Sequence, residues 1–145
     1  MDTSFSDFIA ITNRTSEFYY RLDERDYDDV VSCFAEDGVW NRRGKAVQGH
    51  RAIREALESR PRTFQTRHIV TNLRITQSDS SNAHAWFYMV GLPYDADIQA
   101  SPVSPFPAPH ILAVYRDRLV KCGDAWLIAE KALVKTVFKD EKTLP

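Results

Sequence analysis

Between Ser4 and Leu22, Phe5, Phe8, Ile9, Thr12, Thr15, Phe18, Tyr19 and Leu22 recur at three- and four-residue spacing, the pattern of an amphipathic helix capped by Thr3 or Ser4. Residues 23–26 are charged and close it. Asp26 is placed to cap a short second helix carrying Tyr27, Val30, Val31 and Phe34. Residues 34–38 then read as a turn, and residues 39–43 as a first strand closed by Gly44, with Trp40 pointing inward. A third helix is expected from His50 to Ser59, where Ile53, Ala56 and Leu57 form the apolar stripe and Pro61 stops the chain from continuing.

Beyond Pro61 the period changes to two. From Thr66 to Ile75, Ile69, Thr71, Leu73 and Ile75 fall on one face of a strand, and His68, Val70, Asn72 and Arg74 on the other. A face combining an imidazole, an aliphatic side chain and an amide suits either a pocket wall or an internally satisfied histidine. Residues 83–92 are apolar on both faces, as in a central strand, with residues 78–82 supplying the preceding hairpin turn. Pro93 to Pro109 contains five prolines, is not expected to form a regular strand, and is longer than most connections in compact domains. A lid, a binding loop and a disordered connection all fit it. Two long strands, 110–120 and 126–138, meet at a hairpin signal over residues 121–124. Helices followed by a meandering, mostly antiparallel sheet describe a single α+β domain, strongly curved around its helices.

At 145 residues one core suffices. Lysine and arginine total 19 against 20 acidic residues, and no basic run is interleaved with aromatics, which argues against nucleic-acid or anionic-membrane partners. Aromatic residues make up 12%, compatible with an enclosed apolar ligand and equally with an ordinary aromatic-rich core. Cys33 and Cys122 show no metal-type spacing and read as free thiols of a reducing compartment. The start of the chain carries no basic-then-apolar leader, and no run approaches a membrane span, so a soluble cytoplasmic protein is expected. His50, His68, His84 and His110 lack the spacing of metal motifs, so metal catalysis is not expected.

One acid stands out on energetic grounds. Asp23 closes the first helix, where the macrodipole is negative and a carboxylate costs roughly 0.3 to 1 kcal/mol. A tertiary partner or a solvated linker position would each account for it. His50, at the exposed start of the third helix, is read as a surface or capping residue.

Four stretches taken in order, residues 22–30, 34–40, 49–53 and 66–72, together with the terminal pattern from Tyr115 through Gly123 and Trp126, resemble the SnoaL-like branch of the nuclear transport factor 2-like superfamily. That branch includes scytalone dehydratase and hexachlorocyclohexane dehydrochlorinase, and the resemblance runs from about residue 5 to 138. It implies a cone-shaped fold in which three helices and a curved sheet enclose a deep pocket, frequently with dimerisation through the sheet, so a homo-oligomer, dimer or trimer, is expected.

The resemblance further implies that an aspartate ending the first helix pairs with a histidine on the strand after the third, positions occupied here by Asp23 and His68. A neutral imidazole can take a proton through one nitrogen while the carboxylate fixes the tautomer and stabilises the imidazolium. The expected activity is a cofactor-free lyase of dehydratase type, or an isomerase, acting on a small, largely apolar cyclic or polyketide-like metabolite. Tyr20 would donate the phenol, Tyr19 being the alternative and a pocket residue; Trp40 would form a pocket wall and His110 would meet the pocket mouth. Leu22 and Arg42 replace tyrosines of scytalone dehydratase, and Cys122 or Lys121 stands near an arginine of the dehydrochlorinase. A non-catalytic assembly role, like that of the β subunit of ring-hydroxylating dioxygenases, and a ligand-binding pocket without chemistry are the alternatives.

Overall fold

Helix α1 (Phe5–Glu24) begins where the Ser4 hydroxyl accepts the Asp7 backbone N–H at 3.1 Å. It ends where Arg25 adopts a left-handed conformation (φ 63°). The structure, a computed structural model, describes residues 2–42, 44–95 and 110–140. After α1 come α2 (Tyr27–Ser32), β1 (Phe34–Arg42), β2 (Lys45–Gln48), α3 (Gly49–Glu58), β3 (Phe64–Gln77), β4 (Asn82–Asp95), β5 (Ile111–Cys122) and β6 (Ala125–Lys139). The strands form one sheet in the order β2-β1-β6-β5-β4-β3, parallel only between β1 and β6. The sheet curls without closing, and α1 packs against β3 and β6 while α3 packs against β1. This is the expected α+β cone. No helix among the described residues is long and apolar enough to cross a membrane.

Local departures have identifiable causes. The 34–38 stretch, read as a turn, lies inside β1: the register passes from Phe34↔Ile128 to Val39↔Glu130, so five steps along β1 are matched by two along β6. Gly38 permits this fold-over, because a Cβ there would stand 2.9 Å from the carbonyl oxygens of both Ala35 and Ile128. Strand β2, only four residues long, is too short to show alternation and was not expected. Strand β4 continues through Pro93 to Asp95 against β3, contrary to the non-strand reading from Pro93 onward. Its pairing with β5 stops at Gly91, and a proline is tolerated where a strand has one neighbour. The remainder of the proline-rich connection lies outside the described residues.

A bulge in β3 alters its faces. Thr71 pairs with Tyr88 but Arg74 with Trp86, which inserts one extra residue, and Asn72 takes φ 55° to absorb it. Thr66, His68 and Val70 face inward before the bulge; Leu73, Ile75 and Gln77 do so after it. Leu73 and Ile75 therefore share the face of His68, and a single period-two pattern does not hold.

The core beneath the sheet is aromatic. Phe18 meets Tyr19, Phe34 and Trp40 edge-on at 4.9–5.7 Å between centroids. Inside it lies an ion pair. Lys131 on β6 and Asp117 on β5 are cross-strand neighbours, both 0% exposed, with Nζ 2.8 Å from each carboxylate oxygen. Nζ also lies 4.3, 4.7 and 5.0 Å from the ring centroids of Phe18, Tyr19 and Phe87. Burial pulls the ammonium down and pushes the carboxyl up in pKa, and their mutual attraction opposes both shifts. At the other end of α1, Asp7 accepts from Trp126 Nε1 (2.8 Å) and Lys121 Nζ (2.9 Å). These bonds, the indole first, hold its carboxyl at about 2 and tie α1 to the β5–β6 hairpin.

Removing one member of the buried pair strands the other without a counter-charge, so Lys131→Met is expected to cost roughly 3–5 kcal/mol in denaturant unfolding. Adding Asp117→Leu should recover most of that loss. A single variant as stable as the parent would contradict the pairing.

Candidate active site

Asp23 reaches its partners because the buried arc of α1 runs through Ile11, Thr15, Phe18 and Leu22 and has Tyr19 and Asp23 on one flank. The carboxylate, at 7% exposure, meets the first inward residues of β3. Oδ2 accepts the His68 backbone N–H at 2.8 Å, and Oδ1 accepts the Thr66 hydroxyl at 2.8 Å and His68 Nδ1 at 2.6 Å. Arg60, just beyond α3, donates through Nη2 to the Thr66 oxygen and through Nη1 to the Leu22 carbonyl, each at 3.1 Å. A guanidinium can only donate. The Thr66 hydroxyl proton is thereby turned toward Asp23, giving a directed chain from Arg60 through Thr66 to Asp23. The acid that looked misplaced at a helix end is matched by three donors from β3.

Beside an ionised carboxylate, which can only accept, Nδ1 is the donating nitrogen, and in the neutral ring the lone pair then lies on Nε2. No hydrogen bond to Nε2 is formed among the described residues. Opposite His68 in the sheet stands Gly91, where a Cβ would come 2.9 Å from Ile111 Cγ2 and 4.0 Å from His68 Cδ2. The close approach is to Ile111, and against His68 a Cβ would make only ordinary contact.

His68 lines a cavity of about 530 Å³, well within the size range of small-molecule sites. Its apolar wall is built from Leu22, Trp40, Phe64, Met89 and Ile111. Thr66, His110 and Tyr115 add polar groups, and Arg42, Arg60 and Lys139 add cations. Tyr115 stacks on Phe87 at 6.0 Å, and burial, aided by the Asp117 charge, pushes its phenol above its usual pKa. Burial draws the Arg60 guanidinium down. A second, more open depression of about 500 Å³ lies over residues 25–29. Among the described residues no group of three or more His, Cys, Asp or Glu side chains is placed so as to hold a metal ion.

The expected site residues separate into two groups. His68, Trp40 and His110 line the cavity, with Asp23 directly behind His68. Tyr19 is buried and packs on the imidazole at 5.1 Å between centroids without lining the cavity; burial first, then its acidic neighbours Tyr115, Asp117 and Asp23, hold its phenol well above its usual pKa. Tyr20 is a correction: it is 61% exposed, one step round the helix beyond Asp23, with the Arg21 guanidinium over its ring at 5.6 Å. It does not line the cavity. His50, expected at the surface, is half-buried, with Nε2 2.9 Å from the Phe34 carbonyl oxygen. Sequence reasoning assigned no role to Thr66, Arg60, Tyr115 or Lys139. Two residues before His68, Thr66 lies on its face of the strand, a signal that period two does carry; nothing in the pattern marked Arg60.

A sequence profile described as SnoaL-like domain matches residues 4–132. No curated protein matches the chain. Among solved structures, Rv3472 of Mycobacterium tuberculosis, described as of unknown function, superposes with a TM-score of 0.80 at 21% identity over 98% of this chain and 84% of that one. A candidate scytalone dehydratase of Novosphingobium aromaticivorans gives 0.75 at 18% identity over 95% and 89%. A protein of Catenulispora acidiphila, solved in complex with S-DNPA, gives 0.70 at 24% identity over 87% and 90%. These likenesses are of fold.

The arrangement makes a spectroscopic prediction. Nitrogen-15 spectra of the neutral His68 ring should show Nδ1 protonated and Nε2 bare. The opposite tautomer would contradict the carboxylate-directed network.

Proposed function

Because the chain belongs to the SnoaL-like domain family, we propose that it is a cofactor-free lyase or isomerase that abstracts a proton from a small, largely apolar cyclic or polyketide-like metabolite. The observation that carries this reading is the 2.6 Å contact between His68 Nδ1 and Asp23 on the wall of the cavity, which leaves Nε2 to the ligand. Nε2 takes the proton as the C–H bond breaks, and the electron pair passes into an adjacent carbonyl to form an enolate. Asp23 stabilises the imidazolium through Nδ1–H. In elimination, the enolate electrons expel a hydroxyl group, which leaves as water with the proton from Nε2. In isomerisation, the same proton returns to a different carbon.

Tyr115 takes the donor role expected of Tyr20. It lines the cavity, and burial keeps its phenol protonated, as a hydrogen-bond donor to the enolate oxygen must be. Proton exchange tests the reading without knowledge of the natural substrate. Deuterium uptake at the activated carbon of 2-tetralone in heavy water should be catalysed by the wild-type protein. His68→Ala should slow it by roughly a hundredfold to ten-thousandfold, with a marked loss also in Asp23→Asn. Undiminished exchange in both variants, each folded by circular dichroism, would leave a binding pocket without this chemistry.

The proposal includes a homo-oligomer formed through the outer sheet face. Ile69, Val90, Leu112 and Phe138 are successive cross-strand partners across β3, β4, β5 and β6, with Ile69 50% and Phe138 70% exposed. Light scattering should report a dimer or trimer that Phe138→Lys weakens; a monomer at micromolar concentration would refute it.

A further inference from the structure

We infer that the ligand of this cavity carries a carboxylate, bound beside Arg60, on a planar apolar body; the inference rests on the reading that the cavity is the reaction site. Arg60, Arg42 and Lys139 line the cavity, and no Asp or Glu does so among the described residues.

Arg60 is the sharper observation. It is 8% exposed, and its hydrogen bonds go to neutral acceptors, the Leu22 carbonyl and the Thr66 hydroxyl. It forms no ion pair among the described residues. The nearby acid, Asp23, is one hydroxyl away, and its oxygens are already engaged by Thr66 and by the ring and backbone N–H groups of His68. A largely desolvated cation without a direct counter-charge is unfavourable, and an incoming anion relieves it. The two bonds leave further N–H donors of the five-donor fork, whose planar geometry suits a carboxylate.

The surroundings select the rest of the ligand. The Phe64 ring lies 5.8 Å from Arg60 Cζ, and Trp40 forms the wall nearer Arg42, so flat apolar surfaces continue from the charged end. The same cations would stabilise negative charge developing on an enolate, so recognition and chemistry draw on one field.

Calorimetric titration of the full chain with 2-naphthoate and with 2-naphthamide, at one pH, tests the inference. The acid should bind roughly tenfold or more tightly than the amide, with a margin that narrows as salt is raised. Arg60→Gln should abolish the margin and Arg60→Lys retain part of it, whereas His68→Ala should keep it. Equal or weaker binding of the acid, no binding of the acid, or a full margin in folded Arg60→Gln would overturn the inference; the wild-type comparison stands if that variant does not fold. Equal affinities alongside His68-dependent exchange of 2-tetralone would remove the carboxylate and leave proton abstraction intact. A clear margin without exchange would do the reverse.

Discussion

A charge withdrawn from water must be matched, and in this fold the Asp23 carboxylate sets that condition. It terminates α1 against an unfavourable dipole and is buried against β3. Three donors from Thr66 and His68 satisfy it, and they come from the two inward positions that open the strand. The helix end, the strand start and the chain leaving α3 are thus held in one polar network, with Arg60 fixing the hydroxyl between them. The bonds that make the acid tolerable also orient the imidazole.

Behind the network lies a second set of buried charges. Lys131 and Asp117 cross-link β5 and β6, and the ammonium contacts the rings of Phe18, Tyr19 and Phe87. Tyr19 in turn packs against His68. A continuous set of contacts therefore runs from the sheet interior to the back of the imidazole. Such a pair is weak as a source of stability compared with apolar packing, but it permits few alternative arrangements.

Much of this was legible in the chain. The spacing of α1, the placement of α3 and the paired long strands follow from elementary periodicity, and the resemblance carried by residues 22–72 and 115–126 supplied the family and the Asp23–His68 pairing. The misreadings arose where one residue changes the geometry. Asn72 inserts a bulge that moves Leu73 and Ile75 onto the His68 face, and Gly38 lets β1 fold over itself where local composition suggested a turn. Tyr20 was misplaced because proximity to Asp23 along a helix does not say on which side of the buried arc a residue lies. Arg60 was illegible for another reason: its role depends on the Leu22 carbonyl, 38 residues away in sequence, and no local pattern encodes that meeting.

The central claim is that His68 Nε2, held by Asp23, faces the reacting carbon inside the cavity. A crystal structure with 2-naphthol, a planar mimic of the 2-tetralone enol, tests it most directly. The account predicts the ring system in the cavity, with the carbon ortho to the hydroxyl within roughly 3.5 Å of Nε2 and the hydroxyl oxygen within hydrogen-bond reach of Tyr115. A ligand bound elsewhere, or a His68 ring turned away from Asp23 with Nε2 covered by protein, would contradict it.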